Sequence, residues 1–483
     1  MFRFVLCRSL SRSVPGSRSA HPVPEVLLGS MDTPTDVNPR RRGRRSLVLL
    51  TLFVVAGCAQ ARPVPLDTRA FAARIPQTPA ERAPQSVPTW KGSTTITLAQ
   101  VLAAANEANP EIAAERREID IATAAIWEAR LYPNPSLLLE VEDYPLGARG
   151  AATRRVGVRV PIVIGDRLRA GSRAAELERE VAALRFLWRR REILLGVRKA
   201  YIDLIAARRS RDASRESRDV AKSLLDTAEA RLAAQAAPEG EVLKSRVELS
   251  RADGELESAE ILVGAAGRTL EATMGPAGVS ADRVVGDLAR GFVIPPFNDL
   301  LQEVAGRSAL EEIARAEQRA AQSQIAAAQA ERTPDIELEA KAGESADGQG
   351  VVSLGVGIPL PFNNRNEAKI ASAQARSFQA AARVDAARQE VVRRLVSAHR
   401  VLASAQAKVT RLSTEATPTA EKSLELVRLG FEKGKLAYLD VIDARRTLSE
   451  TKAALAAALA ELNTAAAELE ALTGVELSPL VPK

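Results

Sequence analysis

The sequence predicts a mainly α-helical protein with a small membrane β part, built from two copies of one helix–strand–strand–long helix–helix unit. Three observations predict it. First, the chain repeats itself at a spacing of roughly 198 residues, too long for a solenoid unit: Val156-Gly157-Val158-Arg159-Val160-Pro161 is echoed by Leu354-Gly355-Val356-Gly357-Ile358-Pro359, and Arg167 by Arg365. Second, each copy carries two short stretches with period-two apolar patterning. Third, each copy holds a long proline-free stretch, 162–237 and 362–417. Aromatics are only 4% and charged residues 26%, which fits long helices better than a large globular core.

The net charge of +7 belongs mostly to the leader: residues 1–57 hold nine arginines against Glu25, Asp32 and Asp36. The remainder nearly balances and shows no basic patch interleaved with aromatics, which argues against nucleic acid as a partner. Arg40 to Arg45 form a basic segment, and Ser46–Gly57 an apolar run too short to span a bilayer. The run ends Val55-Ala56-Gly57-Cys58, which resembles a bacterial lipoprotein signal, so Cys58 is the expected lipid attachment site and first mature residue. An ordinary signal peptide with an incidental cysteine is the alternative. Arg44-Arg45 leaves twin-arginine export open, and Met31 is a plausible true start. With only Cys7 and Cys58, no disulfide framework is expected.

Residues 58–96 are proline-rich and read as a tether. The first repeat is expected over 97–275, an inter-repeat linker over 276–298, the second repeat over 299–474 and a tail over 475–483. The first helix is expected over 98–131, with a weak point at Asn109-Pro110, stopped by Tyr132-Pro133-Asn134-Pro135. Strands follow at 137–141 and 156–162. In the first, Leu137, Leu139 and Val141 share a face opposite Leu138, Glu140 and Glu142. In the second, Val156, Val158, Val160 and Ile162 oppose Gly157 and Arg159. The second repeat offers Ile336, Leu338 and Ala340 against Glu337, Glu339 and Lys341, then Leu354, Val356, Ile358 and Leu360 against Ser353, Gly355 and Gly357.

The first long helix is expected over 167–236, about 105 Å at ~1.5 Å per residue. The second keeps coiled-coil spacing at Val384, Ala387, Val391, Leu395, Ala398, Leu402, Ala405, Val409 and Leu412, with a kink expected at Pro418. Shorter helices are expected over 241–273, 299–332 and 436–473. Two short helices of about 33 residues, laid end to end, match one long helix.

Four strands with one apolar face leave open edges that lipid cannot satisfy. Single-chain membrane barrels need about eight strands. A homotrimer would supply twelve, closing a barrel wide enough for a water-filled lumen above a helical tube.

With these elements placed, residues 97–474 are similar to the TolC-like outer-membrane efflux proteins. Leu98 to Ala105 with Asn109-Pro110 resembles that family's opening, and Arg428-Leu429-Gly430-Phe431-Glu432-Lys433-Gly434-Lys435-Leu436 through Ala444 its second hairpin tip. Leu131 to Pro135 and Ile358 to Asn366 resemble the CzcC-type branch, which serves heavy-metal efflux. The resemblance implies a trimeric outer-membrane β-barrel on a periplasmic α-helical tunnel. It also implies docking to a periplasmic adaptor and an inner-membrane pump of the resistance-nodulation-division type. The chain itself would be a passive conduit for divalent heavy-metal cations, not an enzyme. Export of organic toxicants, type I protein secretion and a periplasmic coiled-coil scaffold are the alternatives.

No catalytic constellation, cofactor motif or His/Cys cluster is legible, and no transition-metal site is expected. His399, alone in a coiled-coil stretch, reads as structural. The resemblance makes Arg428, Phe431 and Gly434 candidates for adaptor contact, with Pro238 and Gly240 marking the companion tip. The plain reading is that glycine and proline reverse the chain there. Glu239, Glu241, Glu432 and Lys435 are candidates for charged rings at the aperture, beside the plain reading of solvated charges near turns. The two tips are expected to differ most between the halves.

Overall fold

A computed structural model describes residues 68–72, 74, 94–143, 152–276, 278–289 and 291–479. The leader, Cys58 and residues 480–483 lie outside the described residues. All the described residues belong to one compact unit, Gln60–Lys483.

The first repeat runs α1 (Leu98–Ala108), α2 (Pro110–Arg130), β1 (Ser136–Glu142), β2 (Thr153–Ile162), α3 (Arg167–Ala233) and α4 (Glu239–Met274). The second runs α5 (Phe297–Val304), α6 (Ala309–Ala330), β3 (Ile336–Glu344), β4 (Gly350–Gly357), α7 (Glu367–Arg411), α8 (Thr417–Glu432) and α9 (Tyr438–Thr473). Both copies therefore follow the expected order.

The single opening helix of each copy is instead two. Asn109 leaves helical geometry and caps α2, its side chain accepting from Glu111 N at 2.8 Å and Ile112 N at 3.2 Å, while Pro110 takes a first-turn position where no amide hydrogen is needed. In the second copy Gly306, at φ +74°, breaks the helix between α5 and α6. Only the later pieces, 21 and 22 residues, continue toward the strands.

The end-to-end arrangement holds with those pieces. α3, 67 residues long, packs against both α2 and α4. The junction is specific: Asn109 Nδ2 donates to Thr273 O at 2.8 Å, and Gly275, at φ +77°, sits where a Cβ would come within 2.8 Å of Pro110 Cδ. α7 packs against α6 and α9, and α8 against α9.

Pro418 does not end the helical path. Its ring would crowd the carbonyl one turn back, and it lacks an amide hydrogen. The turn Leu412–Ala416 widens to π geometry, Thr417 N reaching Leu412 O, and the helix resumes as α8.

The main core joins both copies through Leu204, Leu270, Leu395, Leu402 and Leu462. The linker closes it rather than merely connecting the copies. Ile96 pairs with Val284, and Phe292 with Pro479. Tyr201 donates to Val285 O at 3.1 Å, and the Asn463 side chain bridges both backbone groups of Ala289 at 2.9 and 3.1 Å. Gly286 lies against Tyr201 so closely that a Cβ would overlap its hydroxyl. Part of the tether is also docked: Phe71 packs on the apolar cluster of α2, α3 and α6, and Arg74 ion-pairs with Glu180 and Glu312.

Candidate conduit wall and hairpin tips

The strands form one antiparallel sheet in the order β1-β2-β3-β4. The central pair joins the two repeats, with Val156 opposite Ala342, Val158 opposite Ala340 and Val160 opposite Leu338. This register keeps the period-two faces aligned across all four strands, since a one-residue slip would mix them. β4 ends at Gly357, so Ile358 and Leu360 lie beyond the strand.

One face is apolar and has no partner within the chain: Leu139 is 75% exposed and Leu354 83%. Tyr132 and Phe362 stand exposed at one end of the strands, and Arg154 lies opposite Glu344 at the other. An apolar band between aromatic and charged rims is the pattern of a lipid-facing surface. The opposite face is an ion-pair ladder. Arg155 meets Glu142 at 2.9 Å, Arg159 meets Glu339 at 2.5 Å, and Lys341 meets Glu140 and Glu339 at 3.0 Å each. Among the described residues no helix is long and apolar enough to cross a membrane, and no metal-holding group of His, Cys, Asp and Glu occurs.

At the other end, α3 turns into α4 and α8 into α9 by the same backbone device. Ala236 N reaches Arg231 O at 2.8 Å and Lys435 N reaches Gly430 O at 2.8 Å, the closure of a Schellman turn. The left-handed residue is Gln235 (φ +57°) in one tip and Gly434 (φ +70°) in the other. Pro238 and Ala437 follow with nearly equal backbone angles, φ −78° ψ 153° and φ −80° ψ 154°. The tips thus differ in side chains while sharing a backbone. Gly240 lies inside the first turn of α4 with open space around it.

The remaining tip candidates separate by burial. Phe431 is 1% exposed, under the Arg231 guanidinium (4.6 Å to the ring centroid) and 5.8 Å from the Tyr438 ring. It clamps the two tips together. Glu241 pairs with Arg231 at 3.2 Å and so belongs to the same clamp. Burial pushes the Tyr438 phenol above its ordinary value, keeping it neutral. Arg428 is half-exposed, pairs with Glu432 at 3.0 Å, and edges a charged cleft of about 520 Å³ with Asp212, Arg215, Glu216 and Asp219. Glu239, Glu432 and Lys435 are exposed.

Just behind the tips lies a polar tie that the sequence reading missed. Arg445 on α9, 2% exposed, donates to Ser217 Oγ on α3 at 2.7 Å and to Glu248 Oε2 on α4 at 3.0 Å. Arg446 and Arg251 hold the other Glu248 oxygen. The signal was present: Tyr438, Val441, Ile442, Arg445 and Leu448 share one helical stripe, so a charge occupies a core position. His399 is structural, edge-on to Phe297 with centroids 5.8 Å apart and Nε2 3.3 Å from Pro295 O.

Duplicated helical hairpins carrying a sheet with one exposed apolar face and one ion-paired face have the architecture of a membrane protein. The sequence model described as Outer membrane efflux protein matches residues 101–276 and 300–475, and the chain belongs to that family. It is 30% identical over 381 residues to the cobalt-zinc-cadmium resistance protein CzcC of Cupriavidus metallidurans, covering 78% of this chain and 90% of that protein. The fold is shared with the outer membrane protein VceC of Vibrio cholerae (19% identity, TM-score 0.61, 78% of this chain and 96% of that one). It is shared likewise with the open state of the MtrE outer membrane channel of Neisseria gonorrhoeae (18% identity, TM-score 0.61, 78% and 88%). The chain is an outer-membrane efflux channel.

Proposed function

We propose that this channel works as a homotrimer whose twelve strands close a barrel in the outer membrane, and that it passes divalent heavy-metal cations outward. The carrying observation is the sheet: an unpartnered apolar face, an ion-paired polar face, and free edges at β1 and β4. Lipid satisfies the first, a water-filled lumen the second, and neighbouring copies the third. The likeness to a cobalt-zinc-cadmium resistance protein supports the choice of cargo.

The chain serves as the outer duct of a tripartite system, with a periplasmic adaptor and an inner-membrane resistance-nodulation-division pump supplying energy and most selection. The tips, with exposed Arg428, Glu432 and Lys435, are the docking end, and Cys58 carries the lipid. The four strands carry no Cys, His or Met, so the barrel passes soft and borderline cations without chelating them.

A deletion strain tested on a panel of cations and organic toxicants decides the cargo. Sensitivity to Zn, Co, Cd, Ni or Cu is expected. Sensitivity confined to dyes or antibiotics refutes the metal assignment.

A further inference from the structure

We infer that Lys341 is a specificity-determining residue of this conduit: a built-in ammonium that fills the carboxylate wall of the sheet and keeps passing cations from lodging there. The inference rests on the conduit reading, in which the polar sheet face lines the lumen.

Lys341 is placed for this. It lies opposite Gly157 in the β2–β3 register, and a Cβ at Gly157 would come within 2.6 Å of Lys341 Cγ. The missing side chain is the trough in which the lysine stem lies flat. Its ammonium thereby reaches across β2 to Glu140 on β1 at 3.0 Å, while also holding Glu339 on its own strand at 3.0 Å. The lysine side chain is 16% exposed, so it is part of the wall and not a tentacle in the lumen.

The wall is otherwise acidic. Four carboxylates, Glu140, Glu142, Glu337 and Glu339, meet three cations, Arg155, Arg159 and Lys341. The second oxygen of Glu140 is enclosed and accepts no hydrogen bond. With both contacts to the lysine at 3.0 Å, the two bound carboxylate oxygens lie at most about 6 Å apart, and closing to about 5 Å lets one oxygen-coordinated divalent cation bridge them. Removing the ammonium uncovers such a pair, repeated in every copy around the lumen. A conduit needs binding weak enough for release, and a covalently tethered cation that cannot leave provides it.

The test uses the full-length channel in planar bilayers. Lys341→Met is expected to raise the cation-over-anion permeability ratio in KCl gradients roughly threefold or more, and to make conductance sensitive to block by added Ca²⁺. Lys341→Arg keeps the wild-type ratio. Glu140→Gln, which preserves shape, shifts the ratio toward anions and decides the matter where Lys341→Met fails to assemble. Pores whose selectivity ignores these substitutions overturn the inference alone. A wild-type chain that opens no pores overturns the conduit reading, and this inference with it.

Discussion

Arg445 sits where a coiled-coil seam calls for a leucine. Taking a guanidinium out of water is tolerable only because Ser217 and Glu248 meet it at 2.7 and 3.0 Å. Arg445→Met takes the buried donor from Ser217 Oγ and Glu248 Oε2, leaving Arg446 and Arg251 only on the other Glu248 oxygen, and is expected to destabilise the protein by about 3 kcal/mol, read as a lowered midpoint in thermal melts of the detergent-solubilised channel. Replacing Glu248 with leucine in that background recovers most of the loss. A second cluster ties α6 to α7. Burial alone would raise the Glu311 carboxyl, but hydrogen bonds and charge from Arg388 and Arg315 outweigh it and hold the group below its ordinary value. Glu180 behaves the same way: burial raises it, and Arg74 and Arg319 more than compensate. Depressed carboxyls contribute stability that is full above the unfolded value of about 4.3 and is lost as pH falls through the folded value. Glu311→Gln should therefore lower the melting midpoint at pH 7, with the deficit shrinking in melts taken below about pH 4. At this scale the sequence was least legible. Arg445 was one arginine among dozens until the helix stripe placed it, and its partners lie 197 and 228 residues away.

Elements were far more legible, because each rests on local signals. α3 runs Arg167–Ala233 against an expected 167–236, and α9 begins at Tyr438 against an expected 436. The departures have local causes read at the wrong strength. Asn109-Pro110 is a full stop with its own cap, not a weak point. α5 ends in a type II turn, with Ala305 at φ −60° ψ 117°, Gly306 at φ +74° and Arg307 N reaching Val304 O at 3.1 Å. Pro418 is preceded by one π turn, and the helical path goes on beyond it. The first tip hides its turn because Gln235, not glycine, takes the left-handed place. Gln235→Gly is expected to raise the melting midpoint, stabilising by up to about 1 kcal/mol, whereas Gly434→Ala lowers it. Opposite signs in the same thermal assay would establish that the two turns are equivalent.

At the level of the molecule, the repeat predicted the architecture: two copies, each with a hairpin of strands, a long helix and shorter ones beside it. The sequence left open how the copies join. The answer lies in long-range contacts that no local pattern announces, namely the β2–β3 pairing, the linker threaded beside Tyr201 and Asn463, and Arg445 bridging the tips. The cargo panel and the bilayer recordings test the molecule at this scale.

The order β1-β2-β3-β4 has one more consequence. Since sequence neighbours are also sheet neighbours, each chain finishes its own portion of wall and still offers an unpaired row of amides and carbonyls at either side. Adding a second copy covers one seam and leaves two rows bare, whereas the third closes two seams at once. Only the copy that shuts the circle removes the last bare rows. In the proposed trimer, ring closure is therefore expected to be cooperative with insertion into the bilayer.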